Sequence, residues 1–239
     1  DYFVKPFNNE KIVKKLDSSN DKPTQTVLKK YYDPEKQWEF SNEIIEKLGF
    51  DFDIGRQDKS VHPFTTSIAS EDVRITTRIM ENFLPGCLFG TIHECGHALY
   101  QMGLMEEIHS TNLADGCSLG FHESQSRLYE NFLGRSKDFW NYWYPKLQNF
   151  FPENLKGYPM DEFYRSINTV ERSLIRVEAD EITYSLHIIL RFEIERMIFE
   201  DKINIKELPQ LWNEKMETLL SIEPPNDAEG ILQDVHWSG

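Results

Sequence analysis

Residues 84–100 read Leu-Pro-Gly-Cys-Leu-Phe-Gly-Thr-Ile-His-Glu-Cys-Gly-His-Ala-Leu-Tyr and contain the spacing His-Glu-x-x-His. Residues four apart lie above one another on an α-helix, so His93 and His97 can bind the same metal ion. Glu94 follows the first of them and is close enough to accept a proton from water that the metal activates. Apolar residues on both sides of the motif give the helix faces to bury. The stretch therefore predicts a packed helix that carries part of a metal site.

The rest of the chain is mostly helical in its pattern. Upstream, Pro34 begins a helix that Gly49 ends, because proline suits a first helical turn and glycine suits the position after the last. Residues 64–68 and 73–78 are rich in β-branched side chains and predict a β-hairpin. Apolar residues at three- and four-residue spacing predict further helices over 118–133, 137–150, 161–168, 173–199 and 208–222. The predicted fold is mainly α with one small hairpin.

Composition excludes several kinds of partner. The chain has 239 residues, of which 39% are hydrophobic and 28% charged, as in ordinary soluble globular proteins. Its net charge of -14 argues against a nucleic acid or an anionic membrane surface as the main partner. No apolar run approaches the roughly 18 residues that a transmembrane helix needs, and no signal-peptide pattern begins the chain. Its three cysteines lack the spacing of a disulfide framework, which predicts reduced thiols and a cytoplasmic location.

The sequence predicts a simple division of the chain. Residues 1–59 form a polar segment and a helix, and residues 60–239 form the catalytic region, with both parts expected to fold as one unit. The chain does not begin with Met, and clustered polar and aromatic residues stand at its very end. We therefore expect it to be a segment of a longer protein.

A catalytic zinc site needs a third protein ligand, with one position left open for water. Glu123 lies in the segment Gly-Phe-His-Glu-Ser-Gln-Ser-Arg at the start of the next predicted helix, a distance along the chain that suits a helix-turn-helix return to His97. A glutamate at a helix N-terminus also interacts favourably with the helix dipole without any metal. On the residues alone, the position therefore stays open among Glu123 and three rivals: His109, Asp115 and His122.

Six short motifs follow one another along the chain. They are His62-Pro-Phe, Asp72-Val-Arg-Ile-Thr, His93-Glu-Cys-Gly-His, His122-Glu-Ser-Gln, Ile175-Arg-Val-Glu-Ala-Asp and Gly230-Ile-Leu-Gln-Asp-Val-His-Trp. In this order they resemble the HPF, DxRxT, HExxH, HES, IRxxAD and GxxQDxHW motifs of the M32 family of metallopeptidases, the Taq-type thermostable carboxypeptidases. The first sixty residues carry no such motif.

The resemblance implies a zincin-like helical metallopeptidase that hydrolyses the last peptide bond of peptides with a free C-terminus. By that resemblance, His93, His97 and Glu123 bind the metal and Glu94 is the general base. One Zn²⁺ per chain is implied, with Co²⁺ as a possible substitute. The family also implies a homodimer for the full-length protein.

The resemblance also implies roles in substrate binding. Arg176 in the IRxxAD motif would bind the substrate carboxylate, since a guanidinium does so through two hydrogen bonds; the alternative is a surface arginine paired with Asp180 or Glu171. His236 would contact the substrate carbonyl, unless it forms an aromatic core pair with Trp237. Arg74 would border the substrate groove. Five further residues would hold these groups in place: Asp72, His122, Asp180, Gln233 and Asp234.

Two other functions fit parts of the same pattern. The chain could be another zincin, an endopeptidase or an aminopeptidase, because the His-Glu-x-x-His spacing alone allows any metallohydrolase. It could also be a non-catalytic segment in which a metal only holds helices together. A carboxypeptidase is the function that the motifs favour.

Overall fold

A computed structural model describes residues 13, 15, 18, 21–69, 71–104 and 106–233. The α-helices, in chain order, are α1 (Pro34–Leu48), α2 (Leu84–Met102), α3 (Leu119–Arg127), α4 (Lys137–Phe150), α5 (Pro152–Leu155), α6 (Met160–Ile167), α7 (Glu181–Phe199) and α8 (Leu208–Leu220). The strands are β1 (Gly55–Lys59), β2 (Thr65–Ala69) and β3 (Asp72–Thr77). The mainly α fold with a small sheet confirms the predicted fold class.

Helix α1 begins and ends where the sequence predicts. The side chain of Asp33 accepts hydrogen bonds from the backbone N–H groups of Glu35 and Lys36, which have no partner within the helix. Gly49 follows the last turn with a φ of 107°, a conformation that glycine adopts without steric cost.

The sheet has the strand order β1-β3-β2. Strands β2 and β3 are antiparallel, which confirms the predicted hairpin. Strand β1 is an addition that the sequence did not predict, and it pairs parallel to β3 from Gly55 opposite Val73 to Lys59 opposite Thr77. Its sequence, Gly-Arg-Gln-Asp-Lys, lacks the apolar alternation of a half-buried strand, and only Gln57 is buried there.

The chain divides into two compact units, an N-terminal unit of residues Pro23–Ile167 and a C-terminal unit that contains residues 168–233. In the N-terminal unit, α1, α2 and α4 share one core, built on Phe40, Leu88 and Trp140 among others. Most aromatic residues of α4 lie in or against this core, whereas Tyr142 is exposed. The boundary that we predicted at residue 60 stays a prediction for the whole protein.

A second hydrophobic cluster lies between the sheet and helix α2, which carries the His-Glu-x-x-His motif. Val73 and Ile75 of β3 pack on Cys95 and Ala98 of α2, and all four are fully buried. Cys95 is therefore a packing residue. All three cysteines have free thiols.

The predicted helix over 118–133 changes its form partway. Helix α3 begins at Leu119, after Ser118, whose hydroxyl caps it by accepting from the N–H of Phe121, and it ends at Arg127. A π-helical segment, Leu128–Leu133, continues from it, and the N–H of Gly134 donates to the carbonyl of Tyr129 five residues earlier. Such π-turns occur often at functional sites.

In the C-terminal unit, α7 and α8 pack through Leu186, Leu190 and Ile194 against Trp212 and Met216. The prediction of one helix over 173–199 is wrong for its first eight residues. Residues Arg176–Glu178 form a short 3-10 turn, and α7 begins only after Asp180. The reason is local, because the Asp180 carboxylate accepts from the N–H groups of Ile182 and Thr183 and so caps a new helix.

None of the described helices combines the length and apolar composition that crossing a bilayer requires.

His187 of α7 predicts a pH dependence of stability. It is 2% exposed, and burial, with the charge of Arg176 as a smaller cause, lowers its pKa to about 4, although Asp180 acts in the opposite direction. Between pH 6.5 and 4 the unfolded chain therefore binds a proton that the folded chain does not. The free energy of unfolding should fall as the pH falls, by about 1.4 kcal/mol per pH unit from this group.

The measurement is chemical denaturation between pH 4 and 7 for the wild type and His187→Gln, which cannot titrate there. The difference between the two unfolding free energies should change with the slope given above. A constant difference across this range would show that His187 is not held neutral by the fold.

Candidate metal centre

Helix α2, which carries the His-Glu-x-x-His motif, crosses helix α3 at Gly96. A Cβ atom on Gly96 would lie 2.7 Å from the Cα of Ser126 and 2.9 Å from the carbonyl oxygen of Gln125. Only glycine therefore allows the two backbones this close approach. The crossing places Glu123 of α3 beside His93 and His97 of α2.

These three side chains form a group that could hold a metal ion, with their donor atoms all within 4.8 Å of one another. The Glu123 Oε2 lies 3.6 Å from Nε2 of His93 and 3.4 Å from Nε2 of His97. Tetrahedral zinc with bonds of about 2.0–2.1 Å separates its donors by about 3.4 Å. The spacing and the donor types thus fit a zinc-type site.

Two of the rival ligands are engaged elsewhere. The Nε2 of His109 is 3.1 Å from the carbonyl oxygen of Leu104, and the Asp115 carboxylate accepts from the N–H of Gly116. The third, His122, contacts His97 and is not one of the three converging side chains. Its Nδ1 lies 3.0 Å from Nδ1 of His97.

The contact between His97 and His122 indicates which nitrogen of each ring carries a hydrogen. If His97 offers the lone pair of Nε2 to a metal, its Nδ1 carries hydrogen and donates to Nδ1 of a neutral His122. Burial and then the charge of His97 lower the pKa of His122, in keeping with that neutral form. A Cβ on Gly116 would lie 2.5 Å from the His122 ring, so this glycine leaves the space that the ring occupies.

On the other side of the site, Nδ1 of His93 lies 2.8 Å from Oε2 of Glu130. Arg127 contacts both acids, with its Nε 2.9 Å from Oε1 of Glu123 and its Nη1 3.0 Å from Oε2 of Glu130. The sequence motifs did not indicate Glu130 or Arg127 as parts of this site. One signal was present, because residues 123, 127 and 130 stand at i, i+4 and i+7 and so share one helix face.

The electrostatics of this cluster favour ionised groups. Burial acts to raise the pKa of Glu123, but the hydrogen bond to His97 and the charges of His93 and Arg127 lower it to about 2. Burial likewise acts to lower the pKa of His93, but the hydrogen bond and charge of Glu130 raise it. A carboxylate ligand at this position is therefore ionised at neutral pH, as metal binding requires.

Glu94 points to the side of α2 on which the hairpin packs. It is 6% exposed, and its Oε2 accepts a hydrogen bond of 2.6 Å from the hydroxyl of Thr65 in β2. The same hydroxyl also lies 3.1 Å from the Glu94 carbonyl oxygen. The sequence carried no signal for Thr65, because strand packing alone brings it to a residue 29 positions away.

Arg74 and Asp72 lie on the opposite face of the sheet from the buried Val73 and Ile75. They form a two-bond ion pair, with Arg74 Nε and Nη2 2.7 and 2.8 Å from the two carboxylate oxygens. Both side chains are exposed. A substrate contact by Arg74 stays a prediction.

In the C-terminal unit, Gln233 holds the backbone of Arg176. Its N–H donates to Oε1 of Gln233, while the amide of Gln233 donates to the carbonyl of Leu174. One guanidinium nitrogen lies 3.1 Å from the hydroxyl of Tyr184. The alternative pairing with Asp180 or Glu171 is absent, and within the described part of the chain no carboxylate is within ion-pair distance of this guanidinium.

Asp180 and Gln233 support the backbone in this unit, the first as the cap of α7 and the second as a link between residues 174, 176 and 229. Asp234 and His236 lie outside the described residues, and their predicted roles stay predictions.

The comparison with protein families shows where this chain belongs. Residues 8–239 match the family described as Carboxypeptidase Taq (M32) metallopeptidase. The chain belongs to the M32 family. This confirms the resemblance that the six sequence motifs indicated.

Individual proteins similar to this chain are named carboxypeptidases. Carboxypeptidase 1 of Bacillus subtilis is 50% identical over 228 residues, which are 95% of this chain and 46% of that protein. Thermostable carboxypeptidase 1 of Thermus thermophilus is 42% identical over 95% of this chain and 44% of its own length. The crystal structure of the M32 carboxypeptidase from Deinococcus radiodurans matches with a TM-score of 0.88 at 40% identity, over 99% of this chain and 50% of its own. The chain thus spans about half the length of these relatives.

Membership of a metallopeptidase family implies a metal. Among the described residues, His93, His97 and Glu123 are the place where three metal-binding side chains converge. Both histidines have Nδ1 engaged by a neighbour, which leaves Nε2 of each ring for the ion. The M32 site therefore has a donor set suited to a divalent cation.

Proposed function

We propose that this chain carries the hydrolytic site of a zinc-dependent carboxypeptidase that removes the last residue of peptides with a free C-terminus. The observation that carries the proposal is the convergence of His93, His97 and Glu123, with the buried Glu94 next to His93 in the chain. The family supports peptide hydrolysis, and the relatives of this chain are named carboxypeptidases.

His93 and His97 would hold the metal through Nε2 and Glu123 through its carboxylate. Three protein ligands of this kind favour zinc and leave a position open for water and substrate. When bound, the ion supplies Lewis acidity for the substrate carbonyl and lowers the pKa of water. We propose one Zn²⁺ per chain, with Co²⁺ able to occupy the same donors. His122 would hold the ring of His97 in orientation through its Nδ1.

Glu94 is the proposed general base. Its carboxylate takes a proton from the water that attacks the scissile carbonyl and returns one to the nitrogen of the leaving amino acid. Thr65 donates to Oε2 and so orients the carboxylate for this proton transfer. The low exposure of Glu94 strengthens such an interaction, because little water screens it.

Arg176 is the proposed anchor for the C-terminal carboxylate of the substrate. Its guanidinium has a tyrosine hydroxyl but no carboxylate as partner among the described residues, so it retains donors for an incoming anion. Gln233 and Asp180 hold the backbone on either side of it. Asp72, Arg74, Asp234 and His236 are proposed as further contacts or supports at the substrate groove.

We also propose that the protein acts in the cytoplasm and that the full-length protein is a homodimer. Free thiols on all three cysteines support a reducing compartment. Peptides are the proposed partners, and the net charge of -14 supports the exclusion of nucleic acid and anionic membranes.

The experiment compares three versions of one peptide. The first has both termini free, the second has a C-terminal amide, and the third has an acetylated N-terminus and a free C-terminus. The protein at its natural length, loaded with zinc, should release single residues from the C-terminus of the first and third and leave the amide intact. Mass spectrometry of the products over time makes the measurement. Release of N-terminal residues or cleavage inside the amidated peptide would overturn the proposal.

A further inference from the structure

Glu130 lies behind one ligand of the proposed metal site. Its side chain is 13% exposed, and its Oε2 is 2.8 Å from Nδ1 of His93. If Nε2 of His93 binds a metal, Nδ1 carries a hydrogen and must donate it to this carboxylate. A carboxylate in that position fixes the plane of the ring and makes the imidazole a stronger ligand.

A buried carboxylate is costly unless cations compensate its charge. Arg127 donates to Oε2 of Glu130 at 3.0 Å, and Arg135 lies 3.6 Å from Oε1. Arg135 itself stacks on the Phe89 ring at 4.0 Å and donates to the carbonyl of Ile167. Arginine side chains thus contact both oxygens of Glu130, and Phe89 and the carbonyl of Ile167 hold Arg135 in position.

Arg127 links this buried acid to the ligand acid. Its Nε donates to Oε1 of Glu123 at 2.9 Å, while its Nη1 donates to Glu130. The oxygen of Glu123 nearest the two histidines is Oε2, so the arginine takes the oxygen that the metal site does not use. One guanidinium therefore orients the ligand carboxylate and the carboxylate behind His93 together.

The local backbone serves this arrangement. Glu130 stands in the π-helical segment, where the hydrogen bond from Gly134 N–H spans five residues to Tyr129. A Cβ on Gly134 would lie 2.9 Å from the Glu130 carbonyl oxygen and 3.4 Å from Ile92 on α2. A larger residue would push this turn away from the helix that carries His93.

We propose that Glu130 is a positioning residue for His93 and that Arg127 couples it to Glu123, so that the fold holds two of the three ligands in place before the ion arrives. The inference rests on the metal site of the proposed function. Glu130 contacts neither the ion nor the substrate and acts only through His93 and Arg127.

The test measures zinc binding by competition with a chromophoric chelator, for the wild type, Glu130→Ala and Glu130→Gln. We expect Glu130→Ala to weaken zinc binding by about 10–100-fold, the usual cost of removing such a partner. Glu130→Gln, which keeps the shape of the side chain but not its charge, should weaken zinc binding less. It replaces Glu130→Ala in the test if the alanine variant does not fold. Visible spectra of the Co²⁺-loaded proteins should shift in both variants, because the orientation of His93 changes.

The matched control is Glu43→Gln, which removes a carboxylate that pairs with Lys146 between α1 and α4 and touches no ligand. It should leave zinc affinity and the Co²⁺ spectrum unchanged. A double variant of Glu130→Ala and Arg127→Met should lose less affinity than the two single losses multiplied, because the two residues act as one unit.

Two failures are distinguishable. If the wild type does not bind zinc, the proposed function itself fails. If the wild type binds zinc and both Glu130 variants bind it equally well with an unchanged Co²⁺ spectrum, the positioning role is overturned and the proposed function stands. Losses that multiply independently in the double variant would overturn the coupling by Arg127.

Discussion

Replacing Glu94 by glutamine is expected to lower kcat by about 10²–10⁴-fold while the zinc content stays at the wild-type value. The amide has nearly the shape of the carboxylate and can still accept from Thr65, so the packing at this buried position is retained. It cannot take a proton from water near neutral pH, and the proton transfer that the mechanism needs is lost. The measurement combines steady-state kinetics on a free-acid peptide with elemental analysis of the metal.

Thr65→Val provides a graded companion to this variant. Valine keeps the branched shape in β2 but removes the hydroxyl that donates to Oε2 of Glu94. We expect a smaller loss of kcat than for Glu94→Gln, again with full zinc content.

If Glu94→Gln kept its turnover, or lost the metal together with its turnover, Glu94 would be a structural residue and the site would need another base.

The sequence predicted the parts of the site that lie within one helical segment. The pair His93 and His97 follows from helix periodicity, and the choice of Glu123 over its rivals came from a family motif. The position of Glu123 relative to the histidines depends on Gly96, whose missing side chain lets α3 approach α2. That role can be read only once the partner helix is known.

Residues outside those motifs were missed for physical reasons. Thr65 reaches Glu94 through the packing of a hairpin on α2, and no local pattern encodes that contact. Glu130 shares a helix face with Glu123, yet its use depends on a π-turn and a glycine that periodicity does not indicate. The long helix predicted over 173–199 failed because the capping carboxylate of Asp180 outweighed the apolar periodicity before it.

The fold itself was easier to predict than its details. Helix α1 has a capping residue, an N-terminal proline and a terminal glycine, and all three signals agree. Strand β1 has none of the usual signals, because its polar residues lie in an edge strand with a single buried side chain. Local agreement between signals is what made an element predictable.

Arg176→Met is expected to lower kcat/KM for a free-acid peptide by about 10- to 150-fold, the loss of a hydrogen-bonded contact with a charged group. Methionine retains much of the apolar stem but cannot donate to a carboxylate. The amidated peptide lacks that charge, so its already slow cleavage should change little. Discrimination between acid and amide should therefore shrink by the same factor, which is the signature of a lost carboxylate anchor.

Arg191→Met is the matched control for this variant, because it removes an arginine of the same unit whose guanidinium is already paired with Glu195. We expect its kcat/KM on both peptides to equal that of the wild type. A fall in activity on both peptides alike for Arg176→Met would mean that Arg176 supports the fold around Tyr184 rather than the substrate. If the ratio of kcat/KM between the free-acid and the amidated peptide did not change, Arg176 would no longer support an exopeptidase. The proposed proton transfer at Glu94 would be unaffected by that result.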